Sequence, residues 1–227
     1  MNKKFLDLGS QPLANNYLSK FKKKQIKYKL KLFFNTKSKM VSISKRIPSE
    51  MMFTNNYPYR SSMSKTMQNS FYELSLEIKK KFKPKKILEI GSNDGALIKN
   101  FNKSEAIGIE PCRNLAQITK KMGYVTYNNY WSHELAKKIR LKNEKIDLIY
   151  SANTLTHISD LNEVFKSISY LLSSNGILII EDPSLLECIK KNSYDQFYNE
   201  HIYLFSAISI NSLLKKFNLE IFNIKNL

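Results

Sequence analysis

The sequence has little cysteine and no long apolar run. Its two cysteines, Cys112 and Cys188, stand far apart, and no Cys-x-x-Cys pair occurs. This spacing supports neither a disulfide framework nor a cysteine-based zinc site, so we expect no metal. No apolar run approaches the roughly 20 residues of a membrane-spanning helix. Asp7 interrupts any apolar segment after the basic N-terminus. We therefore expect no signal peptide, no membrane partner and a cytoplasmic protein.

Arginine is also scarce. The chain of 227 residues carries a formal net charge of +18, but 33 of its basic residues are lysines and only 4 are arginines. Arginine is the preferred residue for contacting phosphates and bases. Nucleic-acid binding is therefore the lesser alternative. A lysine-covered surface that helps to attract a phosphorylated small molecule is favoured.

Short apolar segments alternate with helical ones from residue 86 onward. The pattern predicts strands near 87–90, 106–110, 125–127, 146–151, 176–181 and 219–224. It predicts helices near 64–82, 95–102, 113–122, 132–142, 160–172 and 206–217. This alternation is typical of βαβ units, in which helices cover both faces of a parallel sheet. We predict an α/β domain over residues 57–227 and a small separate region over residues 1–56.

A glycine-containing turn follows the first strand of the α/β pattern. It reads Glu89-Ile90-Gly91-Ser92-Asn93-Asp94-Gly95. Glycines let the backbone turn sharply and approach a ligand closely. A helix that starts here would offer free N–H groups to an anionic part of that ligand. The spacing matches neither the dinucleotide fingerprint nor the P-loop. An ordinary strand–turn–helix corner is the alternative to a ligand site.

A carboxylate ends the second strand of the pattern. Glu110 lies in Gly108-Ile109-Glu110-Pro111, about 19 residues after Gly91. Ligands of open α/β sheets bind beyond the carboxyl ends of the strands, where such a carboxylate can accept both hydroxyls of a ribose. Taken alone, Glu110 would be read as a surface residue. Together with the glycine turn, it favours a nucleoside-bearing ligand.

Residues 89–95 and Glu110 together resemble class I methyltransferases that use S-adenosylmethionine (SAM). The resemblance is closer to the sugar-nucleotide C-methyltransferases, whose members act on 4-keto-deoxysugars. It extends over nearly the whole chain. Four further segments carry it: Leu8-Gly9-Ser10-Gln11-Pro12-Leu13-Ala14-Asn15, Tyr57-Pro58-Tyr59-Arg60-Ser61-Ser62-Met63-Ser64, Ala152-Asn153-Thr154-Leu155-Thr156-His157 and Tyr198-Asn199-Glu200-His201.

The resemblance implies a Rossmann-like sheet with SAM as the cofactor. Tyr59 and Ser62 match a segment that folds over the cofactor in the family. Tyr130 and Trp131 follow the third strand, where an aromatic ring could stack on adenine, with core packing as an equal alternative. The full set implied for SAM is Glu89, Gly91, Ser92, Asn93, Asp94, Gly95, Glu110, Pro111, Asn153, Tyr59, Ser62, Tyr130 and Trp131.

The resemblance also implies a catalytic group. A neutral histidine accepts a proton near pH 7, a neighbouring glutamate orients it, and a tyrosine hydroxyl stabilises an oxyanion. We expect His201, oriented by Glu200, to remove a proton beside a ketone. Tyr198, together with His157, would stabilise the enolate. The family tetrad reads Tyr-His-Glu-His, and Asn199 stands in place of its inner histidine.

The chain departs from the family pattern at both ends. Family members begin with a zinc domain built on Cys-x-x-Cys pairs, and Asn35 and Ser38 stand where the second pair would be. Without the metal, we expect residues 1–56 to be loosely ordered. The family also has a seventh, antiparallel strand and a large C-terminal domain. We therefore expect an incomplete sheet with an open edge. Either a second chain or homo-oligomerisation covers this edge, or the protein is a shortened relative of reduced activity.

The sequence thus predicts SAM-dependent C-methylation of a 4-keto-deoxysugar nucleotide, by proton abstraction beside the ketone. Two alternatives stay open. One is methylation of another small molecule, which the missing C-terminal domain motivates. The other is a truncated or split partner subunit without catalytic activity.

Overall fold

The chain forms two compact units. The computed structural model describes residues 1–18, 20, 24–143 and 145–226. One unit comprises Met1–Met52, Leu155–Ser169 and Asp182–Leu227, and the other comprises Phe53–Thr154 and Tyr170–Glu181. We call these the N-terminal unit and the sheet unit. The bounds of these two units differ from the domain division that the sequence predicts between residues 56 and 57. That division stays a prediction.

A five-stranded parallel sheet forms the centre of the sheet unit. Its order is β6-β5-β4-β7-β8, and every neighbouring pair runs parallel. All four residues of the central strand β4 are buried, as expected for a strand covered on both faces. The predicted α/β class is confirmed. The strands are β4 (Ile87–Ile90), β5 (Ala106–Ile109), β6 (Val125–Tyr127), β7 (Ile146–Ala152) and β8 (Leu172–Glu181).

The predicted sixth strand at 219–224 is wrong. Residues 219–224 have no regular secondary structure. Phe222 and Ile224 are 60% and 65% exposed. A strand is stabilised by its partners, and no strand pairing in the described ranges includes this segment. Its apolar composition was therefore a misleading signal.

Helices follow the predicted pattern in most places. Helix α2 (Lys65–Lys81) begins at Ser64, whose side chain accepts a hydrogen bond from the Met67 amide, and it buries Phe71 and Ile78. None of the described helices is long and apolar enough to cross a bilayer. The other helices are α1 (Ser49–Met52), α3 (Arg113–Lys121), α4 (His133–Lys142), α5 (Leu161–Leu171), α6 (Leu185–Lys190) and α7 (Ala207–Leu214).

The helix predicted near 95–102 is only one 3-10 turn, Ile98–Asn100. The Asn100 side chain explains the early stop. Its amide donates to the carbonyls of Ala96 and Leu97, at 3.2 and 3.1 Å. Asparagine commonly competes with a helix in this way.

The N-terminal unit contains an ordered antiparallel sheet, so the expectation of loose order for residues 1–56 is wrong. The order is β1-β2-β3-β9. Leu32, Val41 and Leu204 are buried together with Cys188, and this apolar cluster stabilises the unit. The strands are β1 (Asn2–Gln11), β2 (Tyr28–Asn35), β3 (Val41–Ile43) and β9 (Tyr203–Leu204).

Candidate active site

The turn formed by residues 91–95, here called the glycine turn, lies at the carboxyl end of β4. Gly91 and Gly95 have φ values of 76° and 84°, a region that favours glycine. A Cβ on Gly91 would come within 2.1 Å of the Thr154 Oγ1, and a Cβ on Gly95 within 2.7 Å of the Thr119 Cγ2. Both glycines are therefore required by backbone conformation and by space.

The N–H groups of the glycine turn are not free, which corrects the expected anion site. The Gly91 and Ser92 amides both donate to the Ile109 carbonyl at 2.9 Å. The next amides also have acceptors, at 2.9 Å in each case: Asn93 donates to Glu110, Asp94 to the Asn93 side chain and Gly95 to the Ser92 carbonyl. The acceptors of these amides lie in β5, in Glu110 and within the turn itself, so the N–H groups are satisfied without a ligand.

Glu110 is held rigidly beside the glycine turn. Its two carboxylate oxygens accept from the Asn93 amide at 2.9 Å and from the Cys112 amide at 2.7 Å. Burial raises the pKa of Glu110, and these two backbone donors partly oppose that effect. Each oxygen of an ionised carboxylate has a second lone pair. Glu110 can therefore still accept two hydroxyl groups.

The segment before α2 contacts the glycine turn, whereas its predicted contact with a cofactor stays a prediction. The Ser62 hydroxyl donates to the Asp94 carboxylate at 2.5 Å, and the Ser62 amide donates to it at 3.2 Å. The Asn93 side chain accepts from the Ser61 amide at 2.9 Å and donates to the Tyr59 carbonyl at 3.3 Å. Asp94 is only 2% exposed. These bonds fix Tyr59 and Ser62 next to the glycine turn.

Two predicted cofactor residues point below the glycine turn. Glu89 is 3% exposed, and burial raises its pKa well above the usual range, while a hydrogen bond from the Ile98 amide opposes this. The Ser92 hydroxyl faces Gly108, where a Cβ would come within 2.7 Å of it. Both side chains support the turn from beneath. A direct contact of either with a cofactor stays a prediction.

The other predicted cofactor residues lie near the neighbouring strand ends. Asn153 follows β7, has a φ of 47° and is exposed. The Pro111 carbonyl accepts from the Asn128 side chain at 2.7 Å. Tyr130 is 40% exposed and its hydroxyl donates to the Phe53 carbonyl, whereas Trp131 is 7% exposed. Burial favours core packing for Trp131 over stacking on a ligand.

Tyr198 and His201 form a hydrogen-bonded pair in the N-terminal unit. The Tyr198 hydroxyl and the His201 Nε2 are 2.7 Å apart, and the His201 Nδ1 lies 2.9 Å from the Gln196 carbonyl. A carbonyl only accepts, so Nδ1 carries the proton and donates to it. Nε2 therefore has the lone pair and accepts from the Tyr198 hydroxyl.

The predicted orienting role of Glu200 toward His201 is wrong. Both ring nitrogens of His201 have other partners, namely Tyr198 and Gln196. The Glu200 carboxylate instead accepts from the Asn15 side-chain amide, at 3.0 and 2.9 Å to its two oxygens. The tautomer of His201 is thus set by a backbone carbonyl.

His201 is also a weaker base than the sequence suggests. Burial lowers the pKa of His201 to about 3, and the neighbouring His157 lowers it further. The two histidine rings have centroids 4.9 Å apart. His201 is therefore neutral at pH 7, and its protonation is disfavoured because the ring is buried and lies beside His157.

His157 completes the group of four predicted catalytic residues. Its Nδ1 lies 2.8 Å from the Glu200 backbone carbonyl. The sequence argument missed Asn15 and Gln196 as members of this cluster. Asn15 lies inside a segment that carries the family resemblance, which was the available signal. Gln196 acts through its backbone carbonyl, so its side chain could give no signal.

Asn199 occupies an unusual position within the tetrad. It is 1% exposed. Neither polar atom of its side chain has a hydrogen-bond partner among the described residues. A buried amide without partners costs about 1–3 kcal/mol.

Comparisons with known proteins show the family and the fold. A family model described as a methyltransferase domain matches residues 59–224. The C-methyltransferase NovU of Streptomyces niveus is 30% identical over 140 residues, which cover 61% of this chain and 33% of that protein. The match therefore spans about a third of the length of this relative.

Several solved structures share the fold. A SAM-dependent methyltransferase of Thermotoga maritima has a TM-score of 0.50 at 22% identity, covering 68% of this chain and 73% of its own. A SAM-dependent methyltransferase of Archaeoglobus fulgidus has a TM-score of 0.53 at 15% identity, with 66% and 68% covered. The plantazolicin methyltransferase BamL, solved with SAH, has a TM-score of 0.52 at 18% identity, with 67% and 63% covered.

Identities this low show the fold alone, whereas the family model matches well over half of the chain. The chain therefore belongs to the methyltransferase domain family, and its fold is the Rossmann-like fold of class I SAM-dependent methyltransferases.

Proposed function

We propose that this methyltransferase transfers a methyl group from SAM to a carbon atom of a 4-keto-deoxysugar nucleotide. The hydrogen-bonded pair of Tyr198 and His201, beside Glu200 and His157, carries the proposal. Proton removal beside a ketone needs a base and a donor for the developing oxyanion. The similarity to a C-methyltransferase over 140 residues supports the same reaction class.

The sheet unit fits the adenosine part of SAM. The glycine turn lies at the carboxyl end of β4, and Glu110 beside it keeps lone pairs for two ribose hydroxyls. SAM, when bound, supplies an electrophilic methyl group. In the proposal Glu110 binds the ribose, and the bonds of Ser62 and Asn93 keep the turn in place.

Glu200 is the proton acceptor that the geometry favours. The His201 Nε2 already accepts from the Tyr198 hydroxyl, and burial lowers the pKa of His201 to about 3. Glu200 is 1% exposed, and its two carboxylate oxygens are oriented by the Asn15 side-chain amide. In this proposal Glu200 takes the proton from the carbon beside the ketone, and His201 orients Tyr198.

The Tyr198 hydroxyl has one proton, and the acceptor of this proton changes during the proposed reaction. In the free chain it is donated to the His201 Nε2. On enolate formation it is donated to the substrate oxygen instead, because a charged acceptor gives a hydrogen bond of about 1.5–3 kcal/mol against about 1 kcal/mol for a neutral one. His157 supports the same turn through the Glu200 carbonyl.

Product analysis tests the proposal directly. The chain is incubated with SAM and a 4-keto-deoxysugar nucleotide, and the product is examined by NMR and mass spectrometry. The proposal predicts a new carbon–methyl bond. It also predicts exchange of the proton beside the ketone in D2O, which Glu200→Gln abolishes. An O-methyl or N-methyl product would exclude the proposed chemistry.

Methylation of a different small molecule is the second candidate. The sequence match to NovU covers only 33% of that protein, so two thirds of the relative have no counterpart in the match. If sugar nucleotides are not methylated, a panel of other small acceptors with labelled SAM tests this candidate.

A further inference from the structure

Asn15 and Glu200 are joined across 185 residues of sequence. The Asn15 side-chain nitrogen lies 3.0 Å from one carboxylate oxygen of Glu200 and 2.9 Å from the other. We propose that Asn15 is a positioning residue, which fixes the Glu200 carboxylate in the orientation needed for proton abstraction. This proposal rests on the proposed function.

The same antiparallel sheet holds both partners of the contact. Asn15 follows the end of β1 by four residues, and Glu200 precedes the start of β9 by three. Strand β1 pairs with β2, β2 with β3 and β3 with β9. Because these pairings fix both flanking strands, the positions of the two side chains are coupled through the sheet.

The backbone of Glu200 is fixed as well. Its carbonyl accepts from the His157 ring at 2.8 Å and from the Ile202 amide at 3.1 Å. The His201 amide donates to the Tyr198 carbonyl at 3.1 Å, which closes a turn around Glu200. With the backbone held, the remaining freedom of Glu200 lies in its side-chain torsions. The two contacts of Asn15 restrict these torsions.

The chemistry of the donor suits a positioning role. The Asn15 side chain is an uncharged amide, and its two contacts to the carboxylate are nearly equal in length. A neutral donor satisfies a buried carboxylate and orients it. It stabilises the ionised form less than a cation at the same distance would, so the basicity of Glu200 is better preserved. A lysine here would form an ion pair and hinder proton uptake.

The kinetic test uses Asn15→Leu, which keeps the approximate volume and removes the donor. The matched control is Asn16→Leu, because Asn16 is the exposed neighbour in the same loop. A misplaced catalytic group costs up to about 100-fold in rate. We expect Asn15→Leu to lower kcat about 10–100-fold with the KM for SAM unchanged, and Asn16→Leu to leave both unchanged.

The decisive kinetic result comes from a double-mutant cycle. Glu200→Gln is combined with Asn15→Leu, and kcat is measured for all four proteins. Because Asn15 acts through Glu200, the second substitution should lower kcat no further. A full additional 10-fold loss in the double variant would overturn the positioning role.

A substrate-free cycle separates this proposal from the proposed function. Urea unfolding of these four proteins, and of Asn16→Leu alone and combined with Glu200→Gln, reports on the contact itself. The effects should be non-additive for Asn15 with Glu200 and additive for Asn16 with Glu200. If the wild-type protein gives no C-methylated product, the proposed function is overturned. Urea unfolding still tests the contact between Asn15 and Glu200 in that case. Active wild type with an unaltered kcat in Asn15→Leu overturns the positioning role alone.

Discussion

Tyr198 shows how much depends on one hydroxyl group. Its oxygen contacts the His201 Nε2 at 2.7 Å, and the two rings have centroids 4.1 Å apart. Removing the hydroxyl leaves the ring packing and removes the group that the proposed function assigns as donor to the enolate. We predict that Tyr198→Phe lowers kcat by about 10²–10³-fold, the range for the loss of one oxyanion donor.

Tyr194→Phe is the matched control for this measurement. Tyr194 lies four residues earlier and is 62% exposed. Its variant should have the kcat of the wild type in the same methyl-transfer assay. Equal rates for Tyr198→Phe and Tyr194→Phe would remove Tyr198 from the mechanism.

His201 makes the stability of the fold depend on pH. Burial lowers its pKa to about 3, against 6.5 for the ordinary side chain. Between these values the unfolded chain binds a proton that the folded chain excludes. The free energy of unfolding should therefore fall as pH decreases below about 6.5, by up to about 1.4 kcal/mol per pH unit from this group.

Urea unfolding at several pH values between 7 and 4 measures this contribution. His201→Gln cannot take up the proton, so its unfolding free energy should depend less steeply on pH than that of the wild type. Identical slopes for both proteins would show that His201 titrates normally in the folded chain.

At the scale of elements, the glycine turn combines two separate demands. Gly91 and Gly9 have similar φ values, 76° and 71°. A Cβ on Gly91 would meet the Thr154 side chain, whereas a Cβ on Gly9 would meet nothing within 4 Å. Substitutions at Gly91 and Gly9 therefore distinguish the cost of a left-handed backbone from the cost of a steric clash.

We predict that Gly9→Ala costs only about 1–2 kcal/mol of stability, the usual penalty for a left-handed residue with a side chain. Gly91→Ala should cost several kcal/mol, because overpacking adds about 1–3 kcal/mol to that penalty. It should also weaken SAM binding. Thermal unfolding of both variants measures the difference, and equal losses would contradict the close approach of Thr154.

Local sequence signals predicted the elements that rest on local chemistry. Helix α2 was predicted because its apolar stripe and the helix-breaking Pro84 lie within one segment. Strands β4 to β8 were predicted because they are apolar and bounded by turns. The segment at 219–224 has the same apolar character, but no strand pairs with it. Composition therefore could not distinguish it from a true strand.

Strand β1 is the opposite case, a strand that the sequence did not predict. Most of its residues are exposed, so its sequence has no apolar periodicity. It is ordered through pairing with β2, and this partner is distant in sequence. The contact between Asn15 and Glu200 depends on the same pairings. For that reason the sequence suggested Glu200 as a site residue but gave it the wrong partner.

At the scale of the whole molecule, the N-terminal unit has an apolar core. The buried side chains of Leu32, Val41 and Leu204 give it an apolar core. No cluster of three or more candidate metal ligands occurs in the described ranges. We predict that a chelator such as EDTA leaves the thermal unfolding temperature unchanged. A fall of several degrees would reveal a metal that stabilises the fold.

The central claim concerns the chain as a SAM-binding protein. Glu110 is fixed by the Asn93 and Cys112 amides at the end of β5, with lone pairs left for the ribose. Loss of two hydrogen bonds to a charged group costs about 1.5–3 kcal/mol each. Glu134→Ala is the control, because the Glu134 side chain is 76% exposed on α4.

Isothermal titration calorimetry with SAM on wild type, Glu110→Ala and Glu134→Ala tests this claim most directly. We predict that wild type and Glu134→Ala bind SAM with equal affinity and that Glu110→Ala binds it at least about 10-fold more weakly, which is about 1.4 kcal/mol. Wild-type affinity in Glu110→Ala, or no SAM binding by the wild type, would contradict the account.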